Sequence, residues 1–239
     1  LVLLSRGARY RDAKLFERFE RPQFAAIVRL LKVGVPMGVS IFMEGSLFVA
    51  TAWMSGSFGQ VAASAHAIAL NVASFTFMVP LGIAMATTVR VGNAVGARDA
   101  HGIRWAVRAG ALLVLATQCV SAGALFVFAG WIASRYTEEA GVAELATVLL
   151  GFAAVFQVSD GLQALFNGAL RGLEDTLVPA FVTAFSYWGV GFTLAWYFGR
   201  HLGEGPPGFW KGLVAGLTTS ALLLGARFAL RARRFVRDG

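Results

Sequence analysis

Six stretches of predominantly apolar residues divide this chain, and each is long enough to cross a bilayer. A spanning helix needs ~20 such residues. The runs at roughly 33–54, 64–89, 105–132, 143–170, 177–199 and 209–230 all reach that length. Inside lipid every backbone N–H and C=O must be satisfied within the protein, so runs of this length are helical. The predicted fold class is therefore all-α: a polytopic membrane protein of six transmembrane helices. Composition agrees, since 57% hydrophobic and 14% charged residues leave too little polar surface to cover a soluble core. The 28 glycines would weaken soluble helices, whereas membrane helices use them for close packing.

The distribution of basic residues gives an orientation. The N-terminal segment, the connections after the second and fourth spans, and the C-terminus together hold 18 of the 21 Lys and Arg residues. The other side has only Arg135, Arg200 and Lys211. By the positive-inside rule the rich side is cytoplasmic, with both termini inside, as an even number of spans requires. The expected location is the plasma (inner) membrane. A formal charge of +8 could also suggest nucleic acid, but the charges lie between apolar runs and lack the interleaved aromatic and basic face of such a binder. No nucleic-acid partner is expected.

Residues 1–32 read as a cytoplasmic linker, 33–230 as the membrane unit and 231–239 as a basic cytoplasmic tail. Leu1-Val2-Leu3-Leu4, followed by Ser5-Arg6, is expected to be the end of a preceding apolar helix, and the chain a piece of a longer protein. Phe16, Phe19, Phe24 and Ile27 make the linker partly amphipathic, so it either lies on the inner leaflet or simply connects. Pro36 and Pro80 fall inside the first two spans, where a bend and a freed carbonyl are expected.

Two carboxylates lie near the middle of spans, Glu44 in the first and Asp160 in the fourth. An ionised side chain at that depth costs ~2.5–3.5 kcal/mol on insertion scales, so its presence requires a reason. One reason is structural: a hydrogen bond between helices, or a protonated carboxyl facing another polar group. The other is a cation or proton site. Polar neighbours favour the second. Gln157, Gln163 and Asn167 stand at i−3, i+3 and i+7 from Asp160, and Ser40 and Thr51 at i−4 and i+7 from Glu44. The second span adds Asn71 and Ser74, with Thr87 and Thr88 further along. Polar faces on several helices are what a water-accessible cavity needs. Ser40, Asn71, Gln157, Gln163 and Asn167 would line it, and Phe75, Phe156 and Phe166 would offer apolar contact.

Other residues have plainer expected roles. His66, near the outer end of the second span, is expected at the solvated interface. Trp53, Trp131, Trp196 and Trp210 near span ends suit an aromatic belt. Cys119, the only cysteine, is expected to be a small buried packing residue. Gly34/Gly38, Gly92/Gly96, Gly168/Gly172 and Gly212/Gly216 match small-residue packing spacing. No nucleophile–base pair, phosphate loop or His-Glu metal pattern occurs, and no enzymatic activity is expected.

Several motifs in order carry a family resemblance. Leu31-Lys32-Val33-Gly34-Val35-Pro36 leading to Phe42-Met43-Glu44 resembles the start of the second lobe in the multidrug and toxic compound extrusion (MATE) family. Met78-Val79-Pro80-Leu81-Gly82-Ile83, with Val89-Arg90-Val91-Gly92-Asn93-Ala94-Val95-Gly96-Ala97, resembles that family's eighth helix and the loop after it. Phe156-Gln157-Val158-Ser159-Asp160 and Gly168-Ala169-Leu170-Arg171-Gly172 resemble its tenth helix. The resemblance, of the NorM type, implies a twelve-helix transporter of two six-helix lobes. This chain would be the C-terminal lobe, partnered by an N-terminal lobe of the same protein.

It further implies that Glu44 and Asp160 are cation-coupling carboxylates, for H+ or Na+, with no other cofactor. An aromatic hydroxyl often stands four residues before the aspartate in that branch. Phe156 occupies this position, which favours proton coupling over sodium. The implied activity is secondary antiport, exporting amphipathic, cationic small organic compounds by alternating access. One rival is a lipid-linked oligosaccharide flippase of related fold, which should carry Arg and Lys inside the spans to meet phosphates; this chain has essentially none there. Another is a non-transporting membrane scaffold.

Overall fold

The computed structural model describes residues 23–238. Six helices match the six expected spans: α1 (Phe24–Gly56), α2 (Gln60–Gly96), α3 (Ala100–Tyr136), α4 (Ala140–Gly172), α5 (Leu177–His201) and α6 (Pro206–Asp238). No strand occurs among the described residues. All six are long and apolar enough to cross a membrane. The expected helix end at Leu1–Leu4 and most of the expected linker lie outside the described residues. The part of that linker from Phe24 onward already belongs to α1.

Short turns join the helices, and local chemistry sets them. Gly59 takes φ 102° ahead of α2, a conformation that side chains with a Cβ rarely adopt. Asp99 caps α3 by accepting from the Gly102 amide at 2.8 Å. Pro36 and Pro80 sit within continuous helices.

α4 is the axis of the bundle. It packs against α2, α3 and α6, and it is the most buried of the spans, whereas α1 is the least. One core cluster gathers Leu149, Leu150, Ala153, Phe156, Trp210 and Leu213, with Ala65 and Ala129. A second, towards the other end, joins Val91, Ile103, Val107, Leu170, Leu224 and Phe228. Large apolar side chains such as Phe42, Leu112, Val127, Phe181 and Leu222 cover the outside. In water such a surface would associate; in lipid it is at home.

The glycine pairs divide sharply. A Cβ on Gly168 would stand 2.8 Å from the Ala84 carbonyl oxygen, and one on Gly172 2.8 Å from that of Thr88, so this pair lets α4 lie against the backbone of α2. A Cβ on Gly212 would come within 2.3 Å of the Ala195 nitrogen, and one on Gly216 within 2.8 Å of the Gly191 Cα, which seats α6 on α5. Gly34 and Gly38 face open space, and Gly92 and Gly96 meet nothing closer than 3.9 Å. Spacing alone does not reveal which face of a helix has a neighbour.

α5 departs from a plain span. It is wound with wide π-type turns at Phe185–Phe192 and Tyr197–His201. These displace side chains around the axis relative to a regular helix, a feature often found beside functional sites. Nothing in the apolar pattern of 177–199 announced it.

Three expectations are corrected by packing. Cys119 is exposed on the outer face of α3, because its face of the helix meets no neighbour. His66 is not solvated: it is buried, and its Nδ1 accepts a hydrogen bond from the Trp210 indole at 3.1 Å. Trp210 is likewise fully buried. Position along a span says nothing of direction, and the two side chains find each other between α2 and α6. Trp53, Trp131 and Trp196 are exposed on the apolar exterior, where a belt requires them.

Candidate ion-coupling site

α1 brings Glu44, and α4 brings Asp160, to one cavity of about 200 Å³. Its walls are Phe48 from α1, Leu70, Ala73, Phe77 and Met78 from α2, and Phe156 from α4, with Ser74 as the other polar member. Glu44 is half-buried, while Asp160 is 4% exposed and its Oδ1 has no hydrogen-bond partner among the described residues. The two carboxyl groups are close enough to repel when both are charged. Low-dielectric walls strengthen that repulsion. Phe156 is held edge-on between Phe48 at 5.9 Å and Trp210 at 5.6 Å. Trp210 in turn is anchored by His66.

The polar stripe of α4 does not all face this cavity. Gln157 turns to α3: its backbone carbonyl accepts from Gln118 Nε2 at 3.0 Å, and its Oε1 accepts from Ser121 Oγ at 3.1 Å. Gln163 turns to α5, donating through Nε2 to the Tyr187 hydroxyl. Asn167 is half-buried two turns beyond Asp160 and is not among the cavity walls. Ser40 is buried and donates to the Pro36 carbonyl of its own helix, and Thr51 likewise bonds back to Leu47. Asn71 Oδ1 accepts from Tyr136 at 2.8 Å. Phe75 is 80% exposed, away from the cavity. Phe166 stacks on Phe228 in a different part of the lobe.

Four buried hydroxyl residues went unnoticed in the sequence: Thr183, Ser186 and Tyr187 of α5, and Ser220 of α6. The hydroxyls of Thr183, Ser186 and Ser220 have no partner among the described residues. Tyr187 stands within electrostatic reach of both Glu44 and Asp160. The signal that could have found three of them was present, since Thr183, Ser186 and Tyr187 share one face of an apolar span at i, i+3 and i+4.

Comparison with known proteins gives the family. The MatE family model matches residues 36–197. The chain is 50% identical over 233 residues to the probable multidrug resistance protein NorM of Xanthomonas campestris, covering 98% of this chain and 51% of that protein. It is 39% identical to the multidrug resistance protein PmpM of Pseudomonas aeruginosa, covering all of this chain and 51% of the relative. The chain thus spans about half the length of the curated relatives it matches. In fold it superposes on a crystal structure of a eukaryotic MATE transporter with a TM-score of 0.86 at 20% identity, over 99% of this chain and 54% of that one. The Vibrio cholerae MATE transporter VcmN in its bent form gives 0.80 at 20% identity, over 96% and 50%. With six spanning helices in the fold of one half of those transporters, and a family match over most of its length, the chain belongs to the MatE family, the multidrug and toxic compound extrusion transporters.

Proposed function

We propose that this chain is the C-terminal lobe of a cation-coupled antiporter that exports amphipathic, cationic organic compounds, with Glu44 and Asp160 as the coupling pair. The carrying observation is their convergence on one apolar-walled cavity, where Asp160 keeps an oxygen without a partner. A buried pair that cannot hold two negative charges has two ways to relieve itself: bind a proton or sodium ion, or bind a cationic substrate. Mutually exclusive occupancy by ion and substrate is the elementary requirement of exchange. Family membership makes the protein a transporter and not an enzyme. The relatives' length supports a second lobe, against which this one rocks in alternating access. Orientation with both termini in the cytoplasm, across the inner membrane, follows the charge asymmetry.

Of the cavity-lining residues named from sequence, Phe156 forms a wall. Gln157 and Gln163 tie α4 to α3 and α5, and Ser40 bonds back within α1. Asn71, Phe75 and Asn167 belong, on this reading, to surfaces completed by the second lobe or by water.

The test is transport by the complete protein in proteoliposomes. A cationic dye should be moved against its gradient when a proton or sodium gradient is imposed. Absence of movement under either gradient, by protein shown to be folded and inserted, would overturn the proposal.

A further inference from the structure

α3 and α6 both pack on α4 but scarcely meet one another, which leaves a furrow between them. It forms a cavity of about 500 Å³ and shares no lining residue with the Glu44–Asp160 cavity. Its floor is apolar: Val107 and Ala111 of α3, Phe166 of α4, Phe228 and Ala232 of α6. Gly225 shapes it, because a Cβ there would come within 3.0 Å of the Phe166 ring, which lies stacked on Phe228.

Three arginines rim this floor: Arg104 and Arg108, one turn apart on α3, and Arg233 near the end of α6. All three are exposed, and among the described residues none forms an ion pair. The nearby carboxylate of Asp175 is already held by Arg227 at 2.9 Å and Arg231 at 3.0 Å. The furrow thus joins an apolar trough to positive charge that no carboxylate among the described residues neutralises. It lies at the end of the lobe rich in basic residues.

We infer that this furrow is a binding site for an anionic phospholipid, its phosphate on Arg104, Arg108 and Arg233 and one acyl chain along Val107, Phe166 and Phe228. Charge complementarity selects the headgroup. Three arginines line one furrow at the basic end of the lobe, and basic pockets between spanning helices are a recognition device for anionic headgroups. The apolar floor selects a lipid over a free anion, since inorganic phosphate would leave that surface uncovered. Bound there, the lipid would tie α3 to α6 behind the helix that carries Asp160.

The test is native mass spectrometry of the complete transporter in detergent, where orientation plays no part, after exchange with phosphatidylglycerol or phosphatidylcholine. The unmodified protein should retain one more phosphatidylglycerol than the R104Q/R108Q/R233Q variant, and should show no such excess for phosphatidylcholine. Apparent affinity should fall about fivefold for each arginine removed. R104K/R108K/R233K should keep the lipid, and so should R135Q, which removes an arginine at the opposite end. Equal retention by the Gln variant would overturn the proposal. So would equal loss in R135Q, or displacement of the lipid by excess inorganic phosphate, which would mark a simple anion site. Because dye transport is not read, failure here is separable from failure of the antiport reading.

Discussion

Gln163 of α4 donates a hydrogen bond to the hydroxyl of Tyr187 on α5, and so holds a buried phenolic oxygen within electrostatic reach of both Glu44 and Asp160. This relationship changes the argument about the coupling ion. The sequence had Phe156 where relatives of the NorM type often carry an aromatic hydroxyl. That loss alone favours a proton over a metal ion, which needs several oxygens around it. Tyr187 carries a hydroxyl within electrostatic range of the same pair from another helix.

The coupling ion is therefore tested by two substitutions together. An imposed proton gradient is expected to drive the complete protein without added sodium. Phe156→Tyr should add sodium-dependent transport, and Tyr187→Phe should lessen any sodium stimulation that the unmodified protein has. Dye efflux from proteoliposomes under each gradient separately reads all three. Sodium-obligate transport by the unmodified protein would show that the loss at Phe156 is not decisive.

Glu44→Gln and Asp160→Asn in the complete transporter should each reduce coupled efflux to background while leaving protein abundance close to normal. Neutral isosteres remove charge without removing volume, and a buried carboxylate without a full set of partners contributes little to stability. Efflux by whole cells, with membrane abundance measured alongside, separates the two effects. Unchanged efflux in both variants would leave these carboxyls a structural role only.

Gly212→Ala should destabilise the lobe, whereas Gly38→Ala should not. The first forces a Cβ against the Ala195 backbone, where neither α5 nor α6 can yield without separating; overpacking of this kind costs about 1–3 kcal/mol. The second meets nothing within 4 Å. Thermal unfolding of both variants in the same detergent gives the comparison, and similar midpoints would show that the close approach is not maintained.

Trp210→Phe keeps the ring packing on Phe156 but strips His66 Nδ1 of its donor. Leaving that buried acceptor without a partner should cost about 1–3 kcal/mol. His66→Ala in the Trp210→Phe background should then cost less than it does alone, a coupling that a double-mutant cycle measures. Strict additivity would mean that the pair makes no energetic contact.

Produced alone, the chain should insert with both ends on the cytoplasmic side and fail to export dye. Alternating access needs a second lobe to move against. Labelling of single cysteines placed in the 97–99 and 203–205 turns, in intact cells, reports orientation, after Cys119 is replaced. Export by the isolated chain would show that one lobe suffices.

The six helices were legible because crossing lipid is a condition on length and composition, and both are local properties of sequence. The carboxylates were legible for a similar reason: in a run such as that around Glu44 or Asp160, a charge contradicts its medium, and the contradiction is visible without coordinates. Family motifs added the lobe to which these helices belong. What the chain could not disclose was direction. Gln157 and Gln163 stand on the same stripe as Asp160, yet one turns to α3 and the other to α5, because neighbouring helices and not the stripe supply their partners. His66 and Trp210 were expected at a solvated end and in an aromatic belt, and are instead buried against each other. The close approach of Gly212 to Ala195 and of Gly216 to Gly191 depends on the partner helix, and spacing alone did not distinguish these glycines from Gly34 and Gly38. Sequence thus determined which segments cross the membrane and which charges are anomalous. Only packing decided which faces meet, since a helix's hydrogen bonds are internal and its neighbours are not.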